Sequence, residues 1–260
     1  MASALIGGLG AQGLLREPPV VVEPLQEVRE ALRARFAVHA IESPDGSLTG
    51  CAALILAVKP QQMRAAVLSA APYLGETLLI SIAAGIPTAS IARWAGRDLS
   101  IVRAMPNTPA LIGEGITGLF ANPAVDPRQR ELAALLLGAV GATVWVGEEA
   151  LLDAVTAISG SGPAYVFYLI EALERAGREL GLAPEAAHRL ARATFSGAVR
   201  LAEASSEPLE VLRERVTSKG GTTQAALTEL ERQKVAEHIV GAARAAAIRA
   251  AEMGREFGQD

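Results

Sequence analysis

Along the first half of the chain, short apolar runs alternate with segments of helical periodicity, the rhythm of a parallel sheet covered by helices. Val20-Val21-Val22 is a short strand, Leu25, Val28, Leu32 and Phe36 then recur at helical spacing, and Val38 to Ile41 is the next strand. Ala53 to Val58 is a continuous apolar run stopped by Lys59-Pro60. A helical stretch follows to Leu74, and Leu78 to Ile82 is a buried strand ended by Ala83-Ala84-Gly85. Ile101 to Ala104 runs into Met105-Pro106-Asn107-Thr108-Pro109, where two prolines force a turn. Asp126-Pro127 starts a helix with a capping acid and a proline at the first helical position, and Thr143 to Val146 gives one more strand.

After Gly147 no strand pattern recurs. A helical segment reaches Ile158, Ser159 to Pro163 is read as a break, and a long apolar helix continues to about Leu180. Further helices start near Pro184 and at Glu207-Pro208. Thr217 to Gly221 breaks the pattern again, and two more helical stretches run from Thr222 to the end. The expected architecture is an α/β domain over residues 1–147 followed by an all-helical domain over 148–260.

Composition narrows the function. Half of the 260 residues are apolar and one fifth charged, with 24 basic against 28 acidic side chains, so disorder is excluded and a sizeable core is available. A net charge of −4 and the absence of any basic run argue against nucleic-acid binding. The uncharged stretches Leu132 to Gly147 and Ala154 to Ile170 are broken by glycines and a proline, so no membrane span is expected. Cys51 is the only cysteine and the three histidines, His39, His188 and His238, lie far apart. No disulfide and no metal site are expected, and the reducing cytoplasm is the expected compartment.

In open parallel sheets ligands sit at the carboxyl ends of the strands. Glu23, Ala57-Val58-Lys59-Pro60, Ala83-Ala84-Gly85 and Asn107-Thr108-Pro109 all fall there. Glu23 is either the acid that receives an adenosine ribose or an exposed loop acid. The small residues 83–85 either let a flat ring approach the backbone or simply make a turn, and Lys59 is either a cation at the cofactor or a surface lysine. In Ser218-Lys219-Gly220-Gly221-Thr222-Thr223, a glycine pair followed by hydroxyl residues at a helix start exposes backbone N–H groups. Such an end binds a carboxylate or phosphate, or is an ordinary cap by Ser218 or Thr222.

Ala57-Val58-Lys59-Pro60, Arg103-Ala104-Met105-Pro106-Asn107-Thr108-Pro109-Ala110, Ser159-Gly160-Ser161-Gly162-Pro163-Ala164-Tyr165 and Ser218-Lys219-Gly220-Gly221-Thr222-Thr223, in this order and spacing, closely resemble Δ1-pyrroline-5-carboxylate reductases. That family reduces a cyclic imine to L-proline with NADPH or NADH in the last step of proline biosynthesis. The resemblance implies a Rossmann-like dinucleotide-binding domain followed by an all-α dimerisation domain, and a homodimer or higher homo-oligomer. Glu23, Val58, Lys59, Pro60, Ala83, Ala84, Gly85 and Asn107 are then the cofactor-binding candidates. Gly220, Gly221, Thr222 and Thr223 are the substrate-binding ones, with Ser218 and Thr223 as catalytic candidates. In the family, backbone amides of this loop hold the substrate carboxylate, and the threonine matched by Thr223 bonds the ring nitrogen. Lys219 departs from the family, many members having proline there.

Met1 to Leu9 resembles the helix that follows the family's first strand, and neither that strand nor its glycine-rich phosphate loop precedes it. Gly7, Gly8 and Gly10 do not replace the loop. Burying about five apolar strand residues is worth about 8–15 kcal/mol, comparable to a domain's net stability of about 5–15 kcal/mol. The expectation is therefore that translation starts upstream. Two other readings compete: a β-hydroxyacid-type dehydrogenase, which needs a lysine in the middle of a helix of the second domain, and an inactive homologue that serves as a dimerising scaffold.

Overall fold

A computed structural model describes residues 1–259. By packing, Met1–Ser161 together with the chain from Ala245 onward forms one compact unit, and Gly162–Arg244 forms a second.

The first unit contains α1 (Ala2–Ala11), β1 (Val20–Val22), α2 (Gln26–Arg35), β2 (His39–Ile41), β3 (Ala53–Leu56), α3 (Met63–Ala70), β4 (Leu78–Ser81) and α4 (Thr88–Ala95). It continues with β5 (Ile101–Met105), β6 (Gly115–Ala121), α5 (Pro127–Gly138), β7 (Gly141–Trp145) and α6 (Leu151–Val155). β1 and β2 pair in parallel as a two-stranded ladder, and β3-β4-β5-β6-β7 form a separate five-stranded one. β3, β4 and β5 run parallel, β6 lies antiparallel to β5, and β7 is parallel to β6.

Alternation along β4 builds a core on each face of the larger sheet. Leu79 joins Leu56, Met63, Val67, Ile91 and Trp94, from β3, α3 and α4. Leu78 and Ile80 join Leu5, Val102, Leu119 and Leu137, which brings α1 and α5 onto the opposite face. Burial of each such side chain is worth about 1.5–3 kcal/mol.

The expected strands and helices recur, with three differences. β6 is absent from the sequence reading because Gly115 and Gly118 interrupt its apolar run; a Cβ on Gly118 would lie 2.5 Å from Val155 Cγ1, so a strand glycine is what α6 packs on. α4 is an eight-residue helix between Pro87 and Gly96. Ser159 to Pro163 is not a break: one π turn, Thr156–Gly160, leads from α6 almost directly into α7 (Gly162–Glu179).

The second unit contains α7, α8 (Pro184–Glu203), α9 (Leu209–Arg215), α10 (Thr222–Arg232) and the first half of α11 (Val235–Phe257). The last strand ends at Trp145 and only helices follow from Leu151. Packing changes at 161, because α6 and the π turn lie with the sheet, and α11 passes from the second unit's residues into the first. Phe167, Tyr168, Leu190, Val199 and Leu201 on α7 and α8 are exposed, more apolar surface than a lone soluble unit ordinarily leaves open. Among the described residues no helix is long and apolar enough to cross a membrane.

Candidate functional site

Register brings three candidate segments side by side. Leu56 aligns with Ser81, and Ser81 with Arg103, on parallel strands. Residues 57–60, 82–85 and 106–107 therefore emerge along the same edge of the sheet, where βα loops bind ligands. Lys59 is exposed and is followed by a 3₁₀ turn that Pro60 opens, while Val58 leans on the core. In the middle segment Ala83 is buried in the apolar cluster and Gly85 is buried at φ +82°. Ala84, half-buried, is the member whose side chain stays partly open. Asn107 is buried, its Oδ1 accepting from Ile116 N at 3.0 Å, which fixes the start of β6.

Glu23 follows β1, which pairs only with β2. Its N–H donates to Ile41 O at 2.9 Å, and its Oε1 accepts from Leu25 N at 2.9 Å at the start of α2. Arg29, one turn on, is committed: its Nη1 donates to the carbonyls of Glu23 and Pro24, each at 2.7 Å, and its Nη2 pairs with Glu42. Its guanidinium is thus spent on the turn rather than offered as a phosphate partner. Two of the three glycines of α1 are packing residues: Gly7 faces Phe36, and a Cβ on Gly8 would lie 2.5 Å from Ala139 O, while Gly10 meets nothing.

In the second unit the segment 218–223 forms the turn before α10. Gly220 takes φ +73°, which suits glycine. Gly221 N donates to Ser218 O at 3.0 Å, and Gly220 N to Gln224 Oε1 at 2.5 Å. Of the two expected outcomes, capping by Ser218 or Thr222 is not what forms: Gly221 is the N-cap and no side chain caps α10. The amides of Thr222, Thr223 and Gln224 at the helix start therefore remain available to an anion. Ser218 Oγ lies against Gly221, where a Cβ would collide with it.

The β-hydroxyacid alternative lacks its lysine. Lys219 is in the turn before α10, and Lys234 is the junction of α10 and α11, at φ +53°.

Sequence reasoning missed a partly buried charge cluster around Arg103. Arg103 of β5 donates from Nη1 to Glu149 Oε1 at 2.9 Å. The same carboxylate accepts from Thr88 N at 2.7 Å and Thr88 Oγ1 at 3.0 Å, capping α4 where Pro87 has no side-chain acceptor to offer. Asp153 is beside them: burial holds its carboxyl above the usual range, opposed by the positive charges of Arg103 and Arg255 and assisted by Glu149. The only sequence signal was Arg103 itself, a charge inside an otherwise apolar strand.

The larger sheet thus presents an exposed cation, Lys59, and a small, half-open residue, Ala84, at one set of strand ends, and Glu23 stands at the βα turn of the separate β1-β2 ladder. Comparison with known proteins places the chain in a family. The family model for pyrroline-5-carboxylate reductase dimerisation matches residues 149–253. One for NADP oxidoreductase, coenzyme F420-dependent, matches residues 1–85. The chain is 45% identical to the pyrroline-5-carboxylate reductase of Pseudomonas aeruginosa, over 100% of this chain and 95% of that one. It is 43% identical to that of Haemophilus influenzae over 99% and 95%. Among solved structures it is similar to the Coxiella burnetii pyrroline-5-carboxylate reductase, with a TM-score of 0.90, 38% identity and coverage of 97% and 94%. It is also similar to the Plasmodium falciparum pyrroline carboxylate reductase with NADP bound, with a TM-score of 0.85, 29% identity and coverage of 97% and 94%.

Proposed function

The chain belongs to the pyrroline-5-carboxylate reductase family, and we infer that it reduces Δ1-pyrroline-5-carboxylate to L-proline with NAD(P)H as a step of proline biosynthesis. The observation that carries this is identity of 45% across the whole chain to a reductase of that substrate.

Bound NAD(P)H supplies the hydride for the imine carbon. The residues of this chain bind and orient. Val58, Lys59 and Pro60, the turn Ala83-Ala84-Gly85 and Asn107 are the cofactor-side residues on this reading. Thr222, Thr223 and Gln224 amides hold the substrate carboxylate at the α10 start, where the helix dipole favours an anion. Gly220 and Gly221 keep the approach to those amides open. The N–H of the protonated imine donates to the Thr223 hydroxyl, and Ser218 holds the turn closed against Gly221. A protonated imine is already electrophilic, so orientation supplies most of what the reaction requires and no histidine is called on.

Glu23 favours NADH over NADPH, since a carboxylate accepts from ribose hydroxyls and repels a 2′-phosphate, and the neighbouring Arg29 is occupied. The exposed apolar faces of α7 and α8 support a homodimer or larger homo-oligomer of this chain.

The test follows oxidation of NADH and NADPH by the purified chain with Δ1-pyrroline-5-carboxylate. Turnover is expected, with a lower KM for NADH. Thr223→Ala is expected to lower kcat/KM by about tenfold to a hundredfold. Absence of turnover with either nucleotide overturns the reading, and a much lower KM for NADPH overturns the role given to Glu23.

A further inference from the structure

α11 ends against the turn that carries Ala83, Ala84 and Gly85. Ala250, Gly254 and Gly258 recur every fourth residue, one face of the helix. Ala250 is 3% exposed, and Phe257 packs on the apolar cluster that includes Ala83 and Ile86. At Gly254 the two backbones nearly touch. A Cβ there would lie 2.7 Å from Gly85 O, and one on Gly85 would lie 2.9 Å from Gly254 N.

The last turn is tied down by polar bonds as well. Gly258 O accepts from Ser90 Oγ at 2.8 Å and from Arg93 Nη2 at 2.7 Å, both on α4. A Cβ on Gly258 would lie 2.9 Å from Pro87 Cδ, so this glycine also sits flush with the segment between β4 and α4. That segment is clamped at its far end by Glu149 on Thr88. Gly85 is thus fixed on one side by β4, on another by the α4 cap, and on the third by α11.

We propose that the carboxyl-terminal turns of α11 are a positioning element for the cofactor turn, with Gly254 setting the height of the Gly85 backbone. The proposal rests on the reading that residues 83–85 contact NAD(P)H. Any side chain at 254 has to move Gly85 O from 2.7 Å to an ordinary contact of at least 3.4 Å, and Ala84 moves with it. Displacements of this size are enough to cost an order of magnitude at a binding surface that needs its groups placed within about half an ångström.

The experiment compares Gly254→Ala, Gly241→Ala and Ala84→Val in the full chain. Cofactor Kd is measured by fluorescence titration of NADH and NADPH without substrate, alongside Tm, kcat and both KM values. Gly241, in the same helix with nothing near a Cβ, is the control for helix propensity. Gly254→Ala is expected to raise cofactor Kd and KM about tenfold, with kcat and the KM for pyrroline-5-carboxylate within about twofold of the parent. Gly241→Ala is expected to leave cofactor Kd, kcat and both KM values unchanged and to raise Tm slightly, as helix propensity requires.

If Ala84→Val weakens cofactor binding and Gly254→Ala does not, the positioning role is wrong while the cofactor reading stands. If neither changes cofactor Kd, residues 83–85 are not at the cofactor and both fall. Should Gly254→Ala fail to fold, Ser90→Ala, which removes one of the two bonds to Gly258 O, is expected to raise cofactor Kd about threefold with kcat retained. An unchanged Kd in that variant overturns the proposal.

Discussion

Removing the Glu149 carboxylate tests how the strand-end surface is held. It accepts from Thr88 N at 2.7 Å, from Thr88 Oγ1 at 3.0 Å and from Arg103 Nη1 at 2.9 Å. The Arg103 side chain is 8% exposed and that of Glu149 27%. Truncating one member of a buried pair leaves the other charge uncompensated, at about 3–5 kcal/mol. The partial exposure of Glu149, and the charge of Asp153 that also reaches Arg103, place this pair at about 2–3 kcal/mol. Loss of the acceptor at the start of α4 adds about 1 kcal/mol. Glu149→Ala is therefore expected to destabilise the protein by about 3–4 kcal/mol. Glu149→Gln, which keeps one oxygen for these donors, is expected to cost about 1–2 kcal/mol. Urea titration followed by circular dichroism reads both values, with the dependence on denaturant unchanged. Arg103→Met in the Glu149→Ala background removes the stranded charge, so the double variant is expected to be at least about 1 kcal/mol better than the sum of the singles. A Glu149→Ala cost below about 1 kcal/mol, or strict additivity, would refute the dependence of Arg103 on this carboxylate.

Asp153 keeps its proton to higher pH in the folded chain than the ordinary 3.8. Its contribution to stability is complete below that value and is lost as pH rises through the folded one. Asp153→Asn is expected to raise stability at neutral pH, with the gain vanishing in acid; equal effects at both ends of a pH series of melting curves would contradict this. In α1, Gly8→Ala drives a Cβ toward Ala139 O and is expected to cost about 1–3 kcal/mol. Gly10→Ala in the same helix meets nothing and is expected to gain up to about 1 kcal/mol, both read from urea midpoints. Lys234 holds φ +53° at the α10–α11 junction, so Lys234→Gly is expected to stabilise by about 0.5–1 kcal/mol, and a loss in Tm would show that the lysine side chain does more there than bridge two helices.

Much of this arrangement was legible because it depends on local pattern. Leu78 to Ser81 is buried on both faces, and such a run reads as a central strand without any alternation. Once the strands are parallel, the positions of Lys59, Ala84 and Asn107 follow, since all carboxyl ends share an edge. The turn before α10 was legible as a helix start, although its cap is Gly221 and not a hydroxyl. What was not legible depends on contacts between distant residues. Glu149 caps a helix 61 positions earlier, and nothing around it in sequence announces a partner. Gly118 looks like a strand breaker until Val155 is seen to occupy its missing Cβ. The return of α11 onto Gly85 is hidden for the same reason: a helix of 23 residues shows no change of pattern where its packing partners change.

The two sets of candidate residues are held by different means, and the difference predicts where substitutions are felt. Around residues 83–88, Ala83 and Gly85 are buried, Glu149 holds Thr88 and α11 lies against Gly85, so changes there are expected to register in stability as well as in binding. The turn before α10 is exposed at Ser218, Lys219 and Gly220, and its shape rests on two local bonds, Gly221 N to Ser218 O and Gly220 N to Gln224 Oε1. Such a segment opens cheaply and contributes little to global stability. Gln224→Ala removes the second bond without touching the core. It is expected to raise the KM for pyrroline-5-carboxylate about threefold to tenfold while leaving cofactor Kd unchanged and stability within about 0.5 kcal/mol. A rise in cofactor Kd, or an unchanged substrate KM, would refute the role proposed for this turn in ordering amides for the carboxylate.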